Sequence, residues 1–166
     1  MNPYSAIYDE VVRSLKNASN FRSYVKENNI VAFNSRKNPI RGSVQAGNLP
    51  EVVLACNGTV EGNLKATSSG THIVRQYELI VSTGSMRYTK VAEPIEFLLL
   101  CLLANWPETL GTLQWNDKSY VKRVELVSTT NGISDANLKR GVNGWHTVTQ
   151  FNVHLHFQTS DLVGAQ

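Results

Sequence analysis

The alternation in residues 145–157 limits this chain more than any other feature. Trp145, Thr147, Thr149, Phe151, Val153, Leu155 and Phe157 fall on one parity, and His146, Val148, Gln150, Asn152, His154 and His156 on the other. A period of two sustained this long is a β-strand with one buried and one polar face, because successive side chains point to opposite sides of a sheet. Wound as a helix, the same residues would scatter their aromatics around the whole circumference. Two further stretches alternate in the same way. In residues 72–82, Ile73, Arg75, Tyr77, Leu79 and Val81 oppose His72, Val74, Gln76, Glu78 and Ile80. In residues 120–127, Tyr120, Lys122, Val124 and Leu126 oppose Val121, Arg123, Glu125 and Val127.

Two segments carry helical spacing instead. Asn2 is placed to cap a helix with Pro3 in its first position. Tyr4, Ile7, Tyr8, Val11 and Leu15 then line one face, with Asp9, Glu10, Arg13 and Lys16 on the other, and the helix is expected to end near Asn17. A second helix is predicted from residues 91–94 to about Asn105, with Pro94 in its first turn and Trp106-Pro107 as its stop. Ile95, Phe97, Leu98, Leu99, Leu100, Cys101, Leu102 and Leu103 make it apolar almost all round, so protein is expected to cover most of its sides. Short strands are predicted at residues 30–33 and 49–56.

The connections are rich in Gly, Asn and Ser. Residues 34–48 read as a long exposed connection, and 57–71 opens on the turn signal Asn57-Gly58. Residues 128–144 read as a loop holding Asn131-Gly132 and Gly141-Val142-Asn143-Gly144, and residues 160–166 as a frayed tail. At 166 residues the chain is expected to be one domain, 1–166. The element order predicts an α+β fold: a mostly antiparallel sheet with two helices packed on one face, joined by long loops.

Little here points to catalysis. Charged residues make up only 17% of the chain, and its acids are scattered with no pair at a telling spacing. Neither Ser69-Gly70 nor Gly84-Ser85 fits a nucleophile elbow, and the Gly-rich stretches match no phosphate-binding fingerprint. Cys56 and Cys101 lie in apolar runs and read as buried free thiols of a reducing compartment. No catalytic residue and no cofactor is expected. The histidines of the polar parity, His146, His154 and His156, pose the alternative of a small α+β domain that binds a ligand or metal on its sheet face. No cysteine shares that parity, and the acids nearest in sequence are Glu125 and Asp161, so the face reads as a polar surface tolerant of histidine and no metal is expected. Residues 1–6 lack a signal-peptide pattern, and the apolar run 97–104 is far below the roughly 18 residues of a membrane span, so no membrane partner is expected.

Cations gather in the loops: Arg36, Lys37 and Arg41, then Arg87 and Lys90, then Lys139 and Arg140. Lys118, Lys122 and Arg123 form a further group. The formal net charge is only +3, and no exposed aromatics interleave with these cations to stack on bases, which argues against a basic adaptor for nucleic acid and against sequence-specific nucleic-acid binding. They are either solvated loop tips or an electrostatic docking surface for an acidic protein.

The whole arrangement has a family resemblance. It runs from the amphipathic N-terminal helix to Leu49-Pro50-Glu51-Val52-Val53-Leu54, then to the long strand over residues 77–84 that ends in Thr83-Gly84. The apolar helix over 95–106 and the Trp145-led terminal strand follow. This order resembles the tail terminator and neck (tail-completion) proteins of long-tailed bacteriophages. The resemblance implies a structural virion protein without catalytic residues, assembled in the host bacterial cytoplasm. It would form a ring, commonly a hexamer, that caps the tail tube and joins it to the head connector. The implied partners are further copies of the chain, the tail tube protein and the connector or neck proteins, and Arg36, Lys37, Arg41, Arg87, Lys90, Lys139 and Arg140 are the candidate contacts. The segment 34–48 matches no part of the family pattern.

If those cations serve a partner, reversing Arg36, Lys37 and Arg41 to Glu will leave circular dichroism and melting nearly unchanged. Joining of tails to heads in an assembly assay will fall and become less salt-sensitive, since rim charges act mainly on association and are screened within about 8 Å at physiological salt. Normal assembly of the reversed variant at both low and high salt would show the cations to be merely solvated.

Overall fold

The structure is a computed structural model that describes residues 2–32, 50–60, 65–67, 70–84, 88–133, 144–158 and 160. The connection at 34–48, the cations Arg36, Lys37, Arg41, Arg87, Lys139 and Arg140, and the tail from 161 lie outside the described residues.

Helix α1 spans Pro3–Asn17 and starts as its sequence predicts, with the Asn2 side chain accepting a hydrogen bond of 2.9 Å from the Tyr4 amide. Its buried side chains are Ile7, Tyr8, Val11 and Leu15, one stripe on one face. A short helix α2 (Ser19–Arg22) and a 3₁₀ turn (Glu27–Asn29) lead into strand β1 (Ile30–Ala32). Strands β2 (Glu51–Thr59), β3 (Lys65–Thr67) and β4 (Gly70–Gly84) follow. A π-helical turn at Tyr88–Ala92 opens helix α3 (Glu93–Gly111), and a small hairpin of β5 (Gln114–Trp115) and β6 (Lys118–Ser119) leads to the long strands β7 (Val121–Ile133) and β8 (Gly144–Gln158).

The main sheet runs β1-β2-β4-β8-β7, with β3 added to β4. All its pairings are antiparallel except β1 with β2. Strands β4 and β8 pair from Gly70↔Gln158 to Gly84↔Gly144 without a slip, as two matched alternating sequences should. At the start of that ladder a Cβ on Gly70 would lie 2.1 Å from the Phe157 carbonyl oxygen, so only glycine fits.

Both helices cover one face. Tyr77 and Phe151, partners across the two central strands, stack with centroids 5.6 Å apart; Tyr8 of α1 meets Tyr77 edge-on at 5.5 Å, and Trp106 of α3 meets Phe151 at 5.3 Å. The Trp106 indole N–H donates to Ser14 Oγ at 3.1 Å and ties the helices to each other. Around them Leu79, Val81, Val153, Leu155, Ile95, Leu99 and Leu110 are buried. The α+β architecture expected from the sequence is the one observed.

Four details differ from the expectation. Helix α3 does not stop at Trp106-Pro107 but continues to Gly111. Pro107 leaves the Leu103 carbonyl without its helical donor, a cost of about 3 kcal/mol, but the helix gains the burial of Trp106 and Leu110, a term of similar or greater size. Second, α3 is covered on one side only: Ile95, Leu99, Leu103, Trp106 and Leu110 are buried, while Phe97 is 67% exposed and Cys101 is exposed. Cys101 is therefore no core thiol, and Cys56 is only half-buried. Third, neither Asn-Gly pair makes a hairpin turn. Asn57-Gly58 forms a bulge inside β2, with Gly58 at φ +112°, and Asn131-Gly132 continues β7 to Ile133. The tight turn is instead Asn116-Asp117, both at positive φ (48° and 60°), as in the two-residue hairpins that match strand twist. Finally, β7 does not alternate simply. Bulges between Val121 and Arg123 and between Leu126 and Ser128 shift its register, so Val121, Val124 and Leu126 share the helix side with Leu155, Val153 and Phe151. Tyr120 and Val121, adjacent in sequence, are both buried.

The one-sided burial of α3 sets an expectation for substitutions along it. Leu99→Ala will cost roughly 2–5 kcal/mol, a fall in Tm of at least about 4 °C. Phe97→Ser, on the open side, will change stability by less than about 0.5 kcal/mol. Thermal melts of the two variants check both values.

Candidate functional site: the polar face of the sheet

The face of the sheet away from the helices carries the even-numbered residues of β4 and β8. Its polar side chains bond to one another in rows that run across the strands. In the longest row Asn57 Nδ2 donates to Gln76 Oε1 (3.0 Å), Gln76 Nε2 to Asn152 Oδ1 (3.4 Å) and Asn152 Nδ2 to Glu125 Oε1 (3.3 Å). This row spans β2, β4, β8 and β7, with every amide dipole directed toward the carboxylate that ends it. Such alignment strengthens each bond through its neighbour. A second row has Gln150 Nε2 donating to Glu78 Oε1 (2.7 Å) and Ser128 Oγ donating to Gln150 Oε1 (3.1 Å).

The third row contains imidazoles. His72 Nε2 lies 3.2 Å from His154 Nδ1, and His154 Nε2 lies 3.2 Å from Glu125 Oε1, close enough for a charge contact but off the line of a hydrogen bond. The carboxylate beside Nε2 favours the tautomer with its proton there, leaving Nδ1 to accept from His72. Glu125 is held below the usual carboxylate range, first by His154 and then by Asn152 and Arg123. Arg123 pairs directly with Glu125 on the same strand.

The three histidines singled out in the sequence do lie on this face, yet they do not converge. His146 is eight residues from His154, roughly 27 Å at about 3.4 Å per residue, and it bonds Ser82 Oγ at 3.0 Å instead. The partner that the structure brings to His154 is His72, on the neighbouring strand. Its parity was legible in the β4 alternation, but its pairing needed the register. His154 sets Nδ1 beside His72 and Nε2 near Glu125, on different sides of its ring, so its two nitrogens face separate neighbours and do not gather around one ion. Among the described residues no group of three or more His, Cys, Asp or Glu side chains is placed to hold a metal ion.

Of the candidate partner-binding cations, Lys90 is the one among the described residues, exposed on the π-helical turn before α3. One cation that sequence reasoning passed over lies under α1. The Arg75 guanidinium sits 3.8 Å over the Tyr4 ring and donates from Nε to Cys56 Sγ at 3.1 Å. Its place among apolar residues in the β4 alternation was the available signal, since an arginine there must find an aromatic face or an acceptor. No helix of the described residues is long and apolar enough to cross a membrane. No known protein-family model matches the chain, and a comparison with curated proteins finds no relative.

The burial of His146 gives the face a pH signature. Desolvation pulls its pKa below the ordinary 6.5. Above pH 6.5 the folded and unfolded chains both hold it neutral and its contribution is intact. As the pH falls below 6.5 the unfolded chain takes up the proton first, so stability drops. Glu125, with its pKa lowered from the ordinary 4.5, acts in a lower window: the stability it gives is present above pH 4.5 and is lost as the pH falls further. Melting curves from pH 7.5 down to 5 should therefore show a decline in Tm that His146→Gln makes shallower and that Glu125→Gln leaves in place.

Proposed function

We propose that this chain is a structural virion protein of a tailed bacteriophage, forming a ring that caps the tail tube and joins it to the head connector. The observation that carries the reading is the outer edge of β7. This strand runs from Val121 to Ile133 at the end of the sheet, and no strand pairs with its outer edge among the described residues. Two of its apolar side chains, Leu126 and Val127, are 50% and 47% exposed. A long open edge with apolar residues is a template for another chain; β7 carries two bulges and the charges of Lys122 and Arg123, devices that limit such pairing, yet Leu126 and Val127 stay open beside them. Phe97 and Cys101 add open apolar surface on α3, the helix packed nearest β7.

A surface of this kind, meeting a different surface on the next copy, makes a head-to-tail contact that closes into a ring when its rotation divides a full turn. The ring and its six-fold number come from the resemblance in element order. A structural role also suits the polar face, whose amides and carboxylates are spent on one another in rows rather than aimed into a cleft. In this reading the tail tube meets one side of the ring and the connector the other, with Lys90 and the loop cations orienting those contacts.

Native mass spectrometry of the purified chain, alone and mixed with tail tube protein, tests the proposal. The expected result is a closed ring of fixed stoichiometry, either spontaneous or on contact with the tube. Leu126→Lys with Val127→Lys should abolish the ring while leaving circular dichroism and melting close to wild type, because both side chains are half-exposed in the monomer. A chain that stays monomeric under both conditions overturns the reading.

A further inference from the structure

Helix α3 has two contrasting sides. Ile95, Leu99, Leu103, Trp106 and Leu110 face the core. At about 3.6 residues per turn, Phe97, Cys101, Ala104 and Glu108 follow one another on the opposite side, with Glu93 one turn before them. Phe97 is 67% exposed, and Glu93, Cys101, Ala104 and Glu108 are exposed as well. We propose that this outer stripe is a docking surface for an amphipathic helix of another polypeptide, one whose apolar side carries Lys or Arg at both ends.

Charge specifies the occupant. Helix α3 holds three carboxylates, Glu93, Glu96 and Glu108, and no Lys or Arg, in a chain whose formal net charge is +3. Among the described residues none of the three makes an ion pair, and Lys90, the nearest described cation before the helix, pairs with none of them. The helix dipole suits Glu93 and Glu96, which lie in the first turn. It opposes Glu108, which lies near the C-terminal end with no base in the last turn to offset it. A carboxylate kept where its own helix disfavours it finds its counter-charge on a partner. Glu93 and Glu108 stand about four turns apart, roughly 22 Å at about 1.5 Å per residue, and the matching cations take the same spacing on a helix laid along α3.

Between these carboxylates the stripe is apolar and shaped for a helix. Cys101 and Ala104 are short, so a second helix can approach to about 8–10 Å between axes, with the Phe97 ring as the anchor it covers. A second copy of this chain does not meet the description. Laid on itself, α3 sets Glu93 against Glu93 when parallel and against Glu108 when antiparallel, and like charges so placed repel. Among the described residues the other long helix is α1, whose apolar stripe of Ile7, Tyr8, Val11 and Leu15 is buried in the core. The occupant is therefore a different polypeptide. The assignment concerns α3 alone and depends neither on the β7 edge nor on a ring.

The exposed Cys101 thiol gives a direct readout, since a docked helix shields it from alkylation. The full-length chain is alkylated with and without a designed helical peptide of about five turns that has a leucine stripe and Lys at both ends, and Cys101 is followed by peptide mapping. A counterpart peptide carries Glu at those ends, and a third scatters the same residues around the helix. The Lys peptide is expected to slow Cys101 alkylation saturably, the Glu peptide to bind about tenfold more weakly, and the scattered peptide to give no protection. Phe97→Ser should weaken the Lys peptide about tenfold, and Glu108→Lys should weaken it about threefold while strengthening the Glu peptide by a similar factor. Both variants alter exposed side chains, and circular dichroism reports whether their fold is intact. Protection of Cys101 in the chain alone as its concentration rises would give the face to a second copy. Equal protection by the Lys and Glu peptides, or undiminished protection in Phe97→Ser, would place the peptide elsewhere. Each of these results overturns the assignment, and native mass spectrometry of the same samples reads ring formation separately.

Discussion

Tyr77 stacked on Phe151 is the contact on which the rest of the fold is built. The pair sits on the two central strands at a fixed point of an unslipped register, and each ring receives one helix: Tyr8 of α1 on the first, Trp106 of α3 on the second. Aromatic pairs bury large apolar areas in defined geometries, so two helices anchored on one stack are placed relative to the sheet and to each other. The Trp106 to Ser14 hydrogen bond closes that triangle. A one-residue slip of β8 would exchange Phe151 for a polar neighbour and leave both helices without a seat.

The same register that seats the helices writes the opposite face. Because β4 and β8 pair without interruption, Gln76 lies opposite Asn152 and Glu78 opposite Gln150, within reach of each other. The amide rows follow and extend to Asn57 on β2 and to Glu125 and Ser128 on β7. A sheet face bonded to itself in this manner is stiff and largely saturated. Among the described residues, open apolar side chains lie at the margins: Leu126 and Val127 on the β7 edge and Phe97 on the outer side of α3.

Much of the architecture was legible before any coordinates. The Asn2 cap, the buried stripe of α1, and the parities of β4 and β8 are local patterns, and local patterns survive folding when one face is buried. The errors share a cause. Pro107 and the two Asn-Gly pairs are strong local signals that tertiary gains overruled: the burial of Trp106 and Leu110 carries the helix through a proline, and the pairing of β2 with β4 and of β7 with β8 carries the strands through Asn-Gly. The even hydrophobicity of α3 concealed which side faces the core, since leucines all round give no direction. For the polar face the parity of His146, His154 and His156 was visible, but only cross-strand register could separate His146 from the others and bring His72 to His154.

The amino-acid sequence by itself determined the α+β class, the two amphipathic alternations at the centre of the sheet and the stripe by which α1 packs, because each depends only on periodicity and on the preference of apolar side chains to leave water. Tertiary structure decided the length of α3 and its open side, the bulges of β7, and the order of the amide rows. Each of these joins residues far apart in the chain, and the free energies that settle them are differences between competing contacts that no local window contains.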